Sequence, residues 1–163
     1  METRARLIVS LLALVLAALS LGPSYVHLLE AQPRLEIWSP ELWRETTVFN
    51  GQFRLFAIVG APVEMATLLV TAIHAWLLRR EKPAFRFAAL GALLYLLSFV
   101  TWLLWVAPAN SVLATWTPGP MAGNFEAVRA RWESGHMMIA AIKLLGFILI
   151  ALSVLVRLPR KKS

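Results

Sequence analysis

Four long, predominantly apolar stretches dictate what this chain can fold into: residues 7–29, 53–78, 84–107 and 135–156. Each supplies the roughly 20 residues that a helix rising 1.5 Å per residue needs to cross a ~30 Å hydrocarbon layer. In such a layer every backbone N–H and C=O must be satisfied within the segment, which a run of this length achieves as an α-helix. None of the four carries the polar stripe of an amphipathic surface helix. The chain is 59% apolar and 15% charged, against ~45–50% and ~25% in soluble domains. The expected fold is all-α: one integral membrane four-helix bundle over residues 1–163, with outer connections at 30–52 and 108–134. Arg4 and Arg6 ahead of Ala18-Leu19-Ser20 also fit a cleaved leader, but the apolar run continues to Leu29, which favours a retained span.

The net charge of +7 would suit nucleic acid, but its distribution points to membrane orientation instead. Arg4, Arg6, Arg79, Arg80, Lys82, Arg86, Arg157, Arg160, Lys161 and Lys162 flank one end of the spans, opposed by Glu2 and Glu81. At the other end Arg34, Arg44, Arg54, Arg129 and Arg131 are outweighed by Glu30, Glu36, Glu41, Glu45, Glu126 and Glu133. Cytoplasmic flanks hold the Lys and Arg excess. Both termini are therefore expected inside, in a bacterial plasma membrane. Trp38, Trp43, Trp102, Trp105, Trp116 and Trp132 fall near the outer boundary and Trp76 near the inner one, as interfacial anchors do. Without cysteine the chain has no disulfide, thiolate ligand or thiol nucleophile.

Local signals set the connections. Pro83 after the short inner loop suits the first turn of the third span, and that loop makes the second and third spans antiparallel neighbours. Ser39-Pro40-Glu41 reads as the start of a short helix that ends near Asn50-Gly51 or runs on into the second span, and Asn124 as the cap of a helix from Phe125. Pro62 in the second span frees the carbonyl of Ile58. Gly91 and Gly146 permit close helix contacts.

Ionisable groups within spans are costly and point to function. His27 and Glu30, like Glu133 and His136, are spaced i,i+3, so each pair shares one helix face. Helix rise puts both histidines about 30 Å from the inner boundary and Glu64 about 21 Å. A Glu-x-x-His pair with further glutamates is how some bundles hold metals, which makes His27, Glu30, Glu64, Glu133 and His136 the candidate ligands. The third span adds only Tyr95, Ser98 and Thr101, too few for a dinuclear site. One iron, copper or zinc, a haem between His27 and His136, or no cofactor all stay open. Structural pairings compete: Glu126, Arg129 and Glu133 have ion-pair spacing, Lys143 lies at the depth of Glu64 and could neutralise it, and His74 reads as a boundary residue.

Asn110, Trp116 and the run Arg129-Ala130-Arg131-Trp132-Glu133-Ser134-Gly135-His136, together with His27-Leu28-Leu29-Glu30 and Pro62-Val63-Glu64, resemble a family of small four-span membrane proteins. That family is mostly of unknown function and includes the fungal anthrone oxygenases. The resemblance implies insertion of oxygen into an activated polycyclic phenol without a cofactor. His136 or His27 would then be the base, Arg129 or Arg131 would hold the oxyanion, and Trp116, Trp132 and Asn110 would bind the substrate. The reading that follows is an oxygenase-like enzyme acting on a small hydrophobic molecule in a pocket near the outer face. Its rival is a non-catalytic, small-molecule-binding subunit of a homo-oligomer or larger membrane complex. Apart from the bilayer, a hydrophobic ligand is the expected partner, and nucleic acid is not.

Overall fold

A computed structural model of the chain describes residues 2–50 and 52–157. Gly51 and the basic tail residues Arg160, Lys161 and Lys162 lie outside the described residues. Within them the chain is helical without a strand, and four helices are long and apolar enough to cross a membrane. The long helices are α1 (Glu2–Glu36), α3 (Gln52–Leu77), α4 (Lys82–Thr101) and α6 (Phe125–Leu155), with short helices α2 (Pro40–Arg44) and α5 (Ala107–Leu113) between them. The helices α1 and α4 both pack on α3 and on α6, so α3 and α6 face each other diagonally across the bundle.

Two helices outrun the apolar stretches that announce them. Helix α1 continues past Leu29 through Pro33, because Glu30 and Arg34 pair at 3.5 Å across one turn. It ends where the amides of Ile37 and Trp38 both donate to the carbonyl of Pro33, at 3.0 and 3.1 Å. Helix α4 runs through a π-helical turn, Trp102–Val106, into α5, making one apolar rod from Lys82 to Leu113. Pro108 explains the turn: it has no N–H for the carbonyl of Leu104 and would clash with it. The π-turn widens the coil there, and Arg131 supplies the missing donors, its Nη2 to Leu104 O and its Nε to Trp105 O, both at 3.0 Å. Pro62 is carried inside a continuous α3.

As expected, Ser39 caps α2: its hydroxyl accepts from the amide of Leu42 at 3.2 Å. Asn124 precedes α6 without a side-chain capping bond. A second π-helical turn, Glu45–Phe49, leads from α2 towards α3.

The bundle is apolar outside and small or polar inside. Leu7, Leu69, Leu93, Leu104 and Leu145 are exposed, whereas Ser10, Ser20, Thr67, Thr71, Ser98 and Ser153 are buried. The first group would suit a lipid environment, and helix carbonyls satisfy several of the second: Thr67 and Thr71 donate to the carbonyls of Val63 and Thr67 at 2.7 Å. Towards the end that holds the chain termini, α4 and α6 close to backbone contact. A Cβ on Gly91 would stand 3.0 Å from the carbonyl of Gly146 and 2.8 Å from Ile150 Cδ1. Ala13, Ala17, Tyr95 and Ile150 fill the crossing, with the Tyr95 hydroxyl on Ala17 O at 2.8 Å. Glu81 in the short turn accepts from Arg6 at 3.1 Å and Arg157 at 2.7 Å, tying α1 and α6 to the α3–α4 turn.

His74 is a correction to the sequence reading. Three residues from the end of α3, it is buried between helices where an exposed interfacial position would leave it open, and its ring contacts Ser153 at 2.8 Å and Ser10 at 3.4 Å. The tryptophans also divide. Trp76 and Trp105 are exposed on the apolar surface, but Trp43 and Trp132 are buried, because their indole N–H groups have found internal acceptors.

Candidate functional site

In the half of the bundle away from the termini, a cavity of about 780 Å³ opens among α1, α3, α4 and α6. Its size suits a small organic ligand. The wall is mostly apolar, with Pro23, Ala57, Gly60, Ala61, Phe99 and Ile139 among its members. A Cβ added at Gly22 or Gly60, both lining residues, would meet nothing within 4 Å. Here glycine leaves space open, whereas Gly91 closes it.

Two polar groups face this cavity at different depths. Nearer the capped end, the rings of His27 and His136 stack with centroids 4.3 Å apart and planes 26° from parallel. Trp132 closes the group, edge-on to His27 at 5.1 Å and 4.2 Å from His136. Its indole N–H donates to Asn110 Oδ1 at 2.8 Å, which fixes it against α5. His27 Nδ1 is buried and has no hydrogen-bond partner among the described residues. Deeper in the bundle, Glu64 Oε2 accepts from Lys143 Nζ and from Ser20 Oγ, both at 2.7 Å. Lys143 also donates to the carbonyl of Ser20 at 3.3 Å. Glu64 Oε1 is buried and unpartnered among the described residues.

Above the histidines, α2 and the following π-turn form a cap held by charge and indole rings. Arg34, with its side chain only 5% exposed, donates from Nε to Glu133 Oε1 at 2.8 Å and from Nη2 to Thr47 Oγ1 at 2.6 Å. Trp43 donates to the same Glu133 oxygen at 2.6 Å. The guanidinium lies 5.0, 5.8 and 5.3 Å from the ring centroids of Trp38, Trp43 and Trp132. Cation–π attraction thus adds to the ion pair in a water-poor setting. Arg129 Nη2 donates to the carbonyl of Arg34.

Of the candidate catalytic, binding and metal-ligating residues named from the sequence, His27, His136, Glu64, Trp132 and Asn110 line the cavity, as do Ser98, Trp102 and Lys143. The others are placed elsewhere. Glu133 belongs to the cap, and Glu30 is half-exposed beside Arg34. Arg129 is buried against α1 and reaches Glu126 at 3.7 Å, while Arg131 lies on the surface clamping the π-turn. Trp116 packs on Phe125 with ring centroids 5.5 Å apart and lines a separate depression of about 230 Å³. The five proposed metal ligands do not converge: among the described residues no group of three or more His, Asp or Glu is placed to hold an ion. Lys143 and Ser20 engage Glu64, and Arg34 and Trp43 engage Glu133. Nor can His27 and His136 grip a haem between them, because axial imidazoles approach iron end-on from opposite faces and these rings lie face to face.

Sequence reasoning missed Arg34 and Thr47, which also line the cavity. The i,i+4 spacing of Glu30 and Arg34 was the available signal, masked by the end of the apolar run. No protein-family model, no curated protein and no solved structure matches this chain.

Proposed function

We propose that this chain is an oxygenase-like enzyme of a bacterial plasma membrane, with both termini cytoplasmic, whose cavity takes a small hydrophobic, aromatic molecule. The observation that carries the reading is the His27–His136 stack, free of hydrogen-bond partners among the described residues, at one end of a largely apolar cavity. An imidazole so placed can take the proton of an acidic C–H or O–H. The cationic groups on the cavity wall are Arg34 and Lys143, so the role of holding an oxyanion moves to them from Arg129 and Arg131. For a methylene between two aryl groups the reaction balances as CH2 + O2 → C=O + H2O. The base takes one proton and the carbanion passes an electron to dioxygen. The radicals join through a new C–O bond, the peroxide anion takes the proton back from the base, and the resulting hydroperoxide loses its second C–H hydrogen and an OH as water to leave the C=O.

The test is oxygen consumption by purified protein in nanodiscs supplied with a hydroxylated anthrone. His27→Ala and His136→Ala should lower the rate about 100-fold or more if the ring is the base. Folded wild-type protein that leaves oxygen uptake at background would sink the enzymatic reading. The second reading, a non-catalytic subunit that binds the same kind of molecule, is favoured by the paired state of Glu64, which can seat a ligand without moving a proton. It predicts ligand bound and no oxygen consumed. Orientation is tested separately, since the chain has no cysteine. An impermeant maleimide added to intact spheroplasts should label Thr117→Cys and spare Arg80→Cys, and the opposite pattern would overturn the cytoplasmic placement of the termini.

A further inference from the structure

We infer that the cavity's ligand is a membrane-dissolved aromatic para-diol, one hydroxyl at the His27–His136 stack and the other at Glu64. The inference rests on the proposed reading of the cavity as the binding site and adds which molecule fits it, a diol that lacks the diaryl methylene of the oxygen insertion and is therefore a ligand distinct from that substrate. Ser20 and His27 are seven residues apart on α1, and so are His136 and Lys143 on α6. Seven residues make two helical turns, about 10 Å of rise, and return to nearly the same face. Both helices therefore present their polar pair to the same cavity at the same two levels. Between the levels the wall is mostly apolar: Pro23, Ala57, Gly60 and Ile139 face the space, and the hydroxyl of Ser24 there is turned to the carbonyl of Ser20 at 3.4 Å.

Glu64 and His27 both line the cavity and each leaves one polar atom unpartnered, closed to water until the side chain turns; those atoms specify the groups that would meet them. Glu64 Oε1 is buried and, as a carboxylate oxygen, only accepts, so it calls for an O–H or N–H. His27 Nδ1 accepts or donates according to tautomer, and a hydroxyl answers either state. A ring carrying hydroxyls at opposite ends, with a hydrogen bond of about 2.8 Å at each, covers a separation of the order that two turns provide. A carbonyl or an ether offers Glu64 no proton. Leu19, Val59 and Met65 line the cavity and are also 55%, 62% and 45% exposed on the apolar exterior. A wall shared with the lipid-facing surface gives an alkyl substituent a way out into the bilayer.

The experiment is anaerobic calorimetric titration of the protein in nanodiscs, with empty nanodiscs subtracted. The probes are 2-decylbenzene-1,4-diol, 4-decylphenol, the dimethyl ether of the diol, and 2-decyl-1,4-benzoquinone. The diol should bind at least ~10-fold more tightly than each of the others, the loss expected when a buried charged acceptor goes unmet. Glu64→Gln should erase the preference for the diol over the dione, because the amide both donates and accepts. His27→Phe should reduce the diol to the affinity of the phenol. Equal affinity of wild-type protein for diol and phenol, a dione as tight as the diol, or no binding at all would each overturn the proposal. Oxygen consumption from an anthrone alongside equal diol and phenol affinity would sink this inference and leave the enzymatic reading. Tight diol binding with no oxygen consumed from any substrate would do the reverse.

Discussion

The two halves of the bundle are held together by different physics. Towards the termini, small residues let backbones meet: Gly91 against Gly146, with Ala13, Ala17 and Ile150 filling the crossing. In lipid such contact supplies dispersion and packing where no hydrophobic drive exists between helices. In the other half a cavity opens among the four long helices, and closure falls to a cap in which Arg34 binds Glu133 and Thr47 among three indoles. Close packing leaves nothing to enter. A charge-and-indole cap seals one end while the interior stays open, so an empty space is tolerated where a ligand could use it and eliminated where none could.

The largest effect should come from the cap. Glu133→Ala leaves Arg34 buried with its main partner gone, a loss of about 3–5 kcal/mol for a pair of this burial. Denaturation in mixed micelles would measure it, with Glu126→Ala on the exposed side of α6 as the reference. If the two variants lose the same stability, the cap is not held by charge and the contrast between the halves fails. Next come the glycines. Gly91→Leu overpacks the crossing and should cost about 1–3 kcal/mol, whereas Gly60→Leu, where a Cβ meets nothing within 4 Å, should stay within about 0.5 kcal/mol. Similar melting temperatures for the two would erase the distinction between closed and open halves. A smaller loss than that at Gly91 belongs to Arg131→Ala, which removes the donors from the carbonyls of Leu104 and Trp105 at an exposed position and should cost about 1 kcal/mol. Hydrogen exchange should quicken around residues 102–108 and stay unchanged in α3. Unaltered exchange in that turn would show that Arg131 does not support it.

Much of this contrast could be read from the chain, for physical reasons that also mark where reading stops. The spans were legible because lipid demands length and apolarity, which composition records directly. Glu64 and Lys143 could be matched because each lies about the same number of residues from the same boundary, and helix rise turns that number into depth. His27 and His136 met by the same logic. Arg34 could not be placed that way, since Glu30 and Pro33 end the apolar run before it and its burial depends on a partner 99 positions away. Arg131 was misread for another reason: its acceptors are main-chain carbonyls, which carry no side-chain signature, although Pro108 hinted that a carbonyl would need one. Trp43 resembled an interfacial anchor until Glu133 gave its N–H a buried acceptor.

The π-turn before Pro108 also sets a phase. One residue more than an α-turn rotates everything after it by about 100° relative to an uninterrupted α-helix. Asn110 follows that turn, and its carboxamide oxygen holds the indole of Trp132 beside the two histidines. The angular setting of the cavity's aromatic wall is therefore written into a single extra residue on α4, secured from α6 by the guanidinium of Arg131. Shortening residues 102–106 by one would leave every side chain of the wall in the chain and turn Asn110 away from the space it lines.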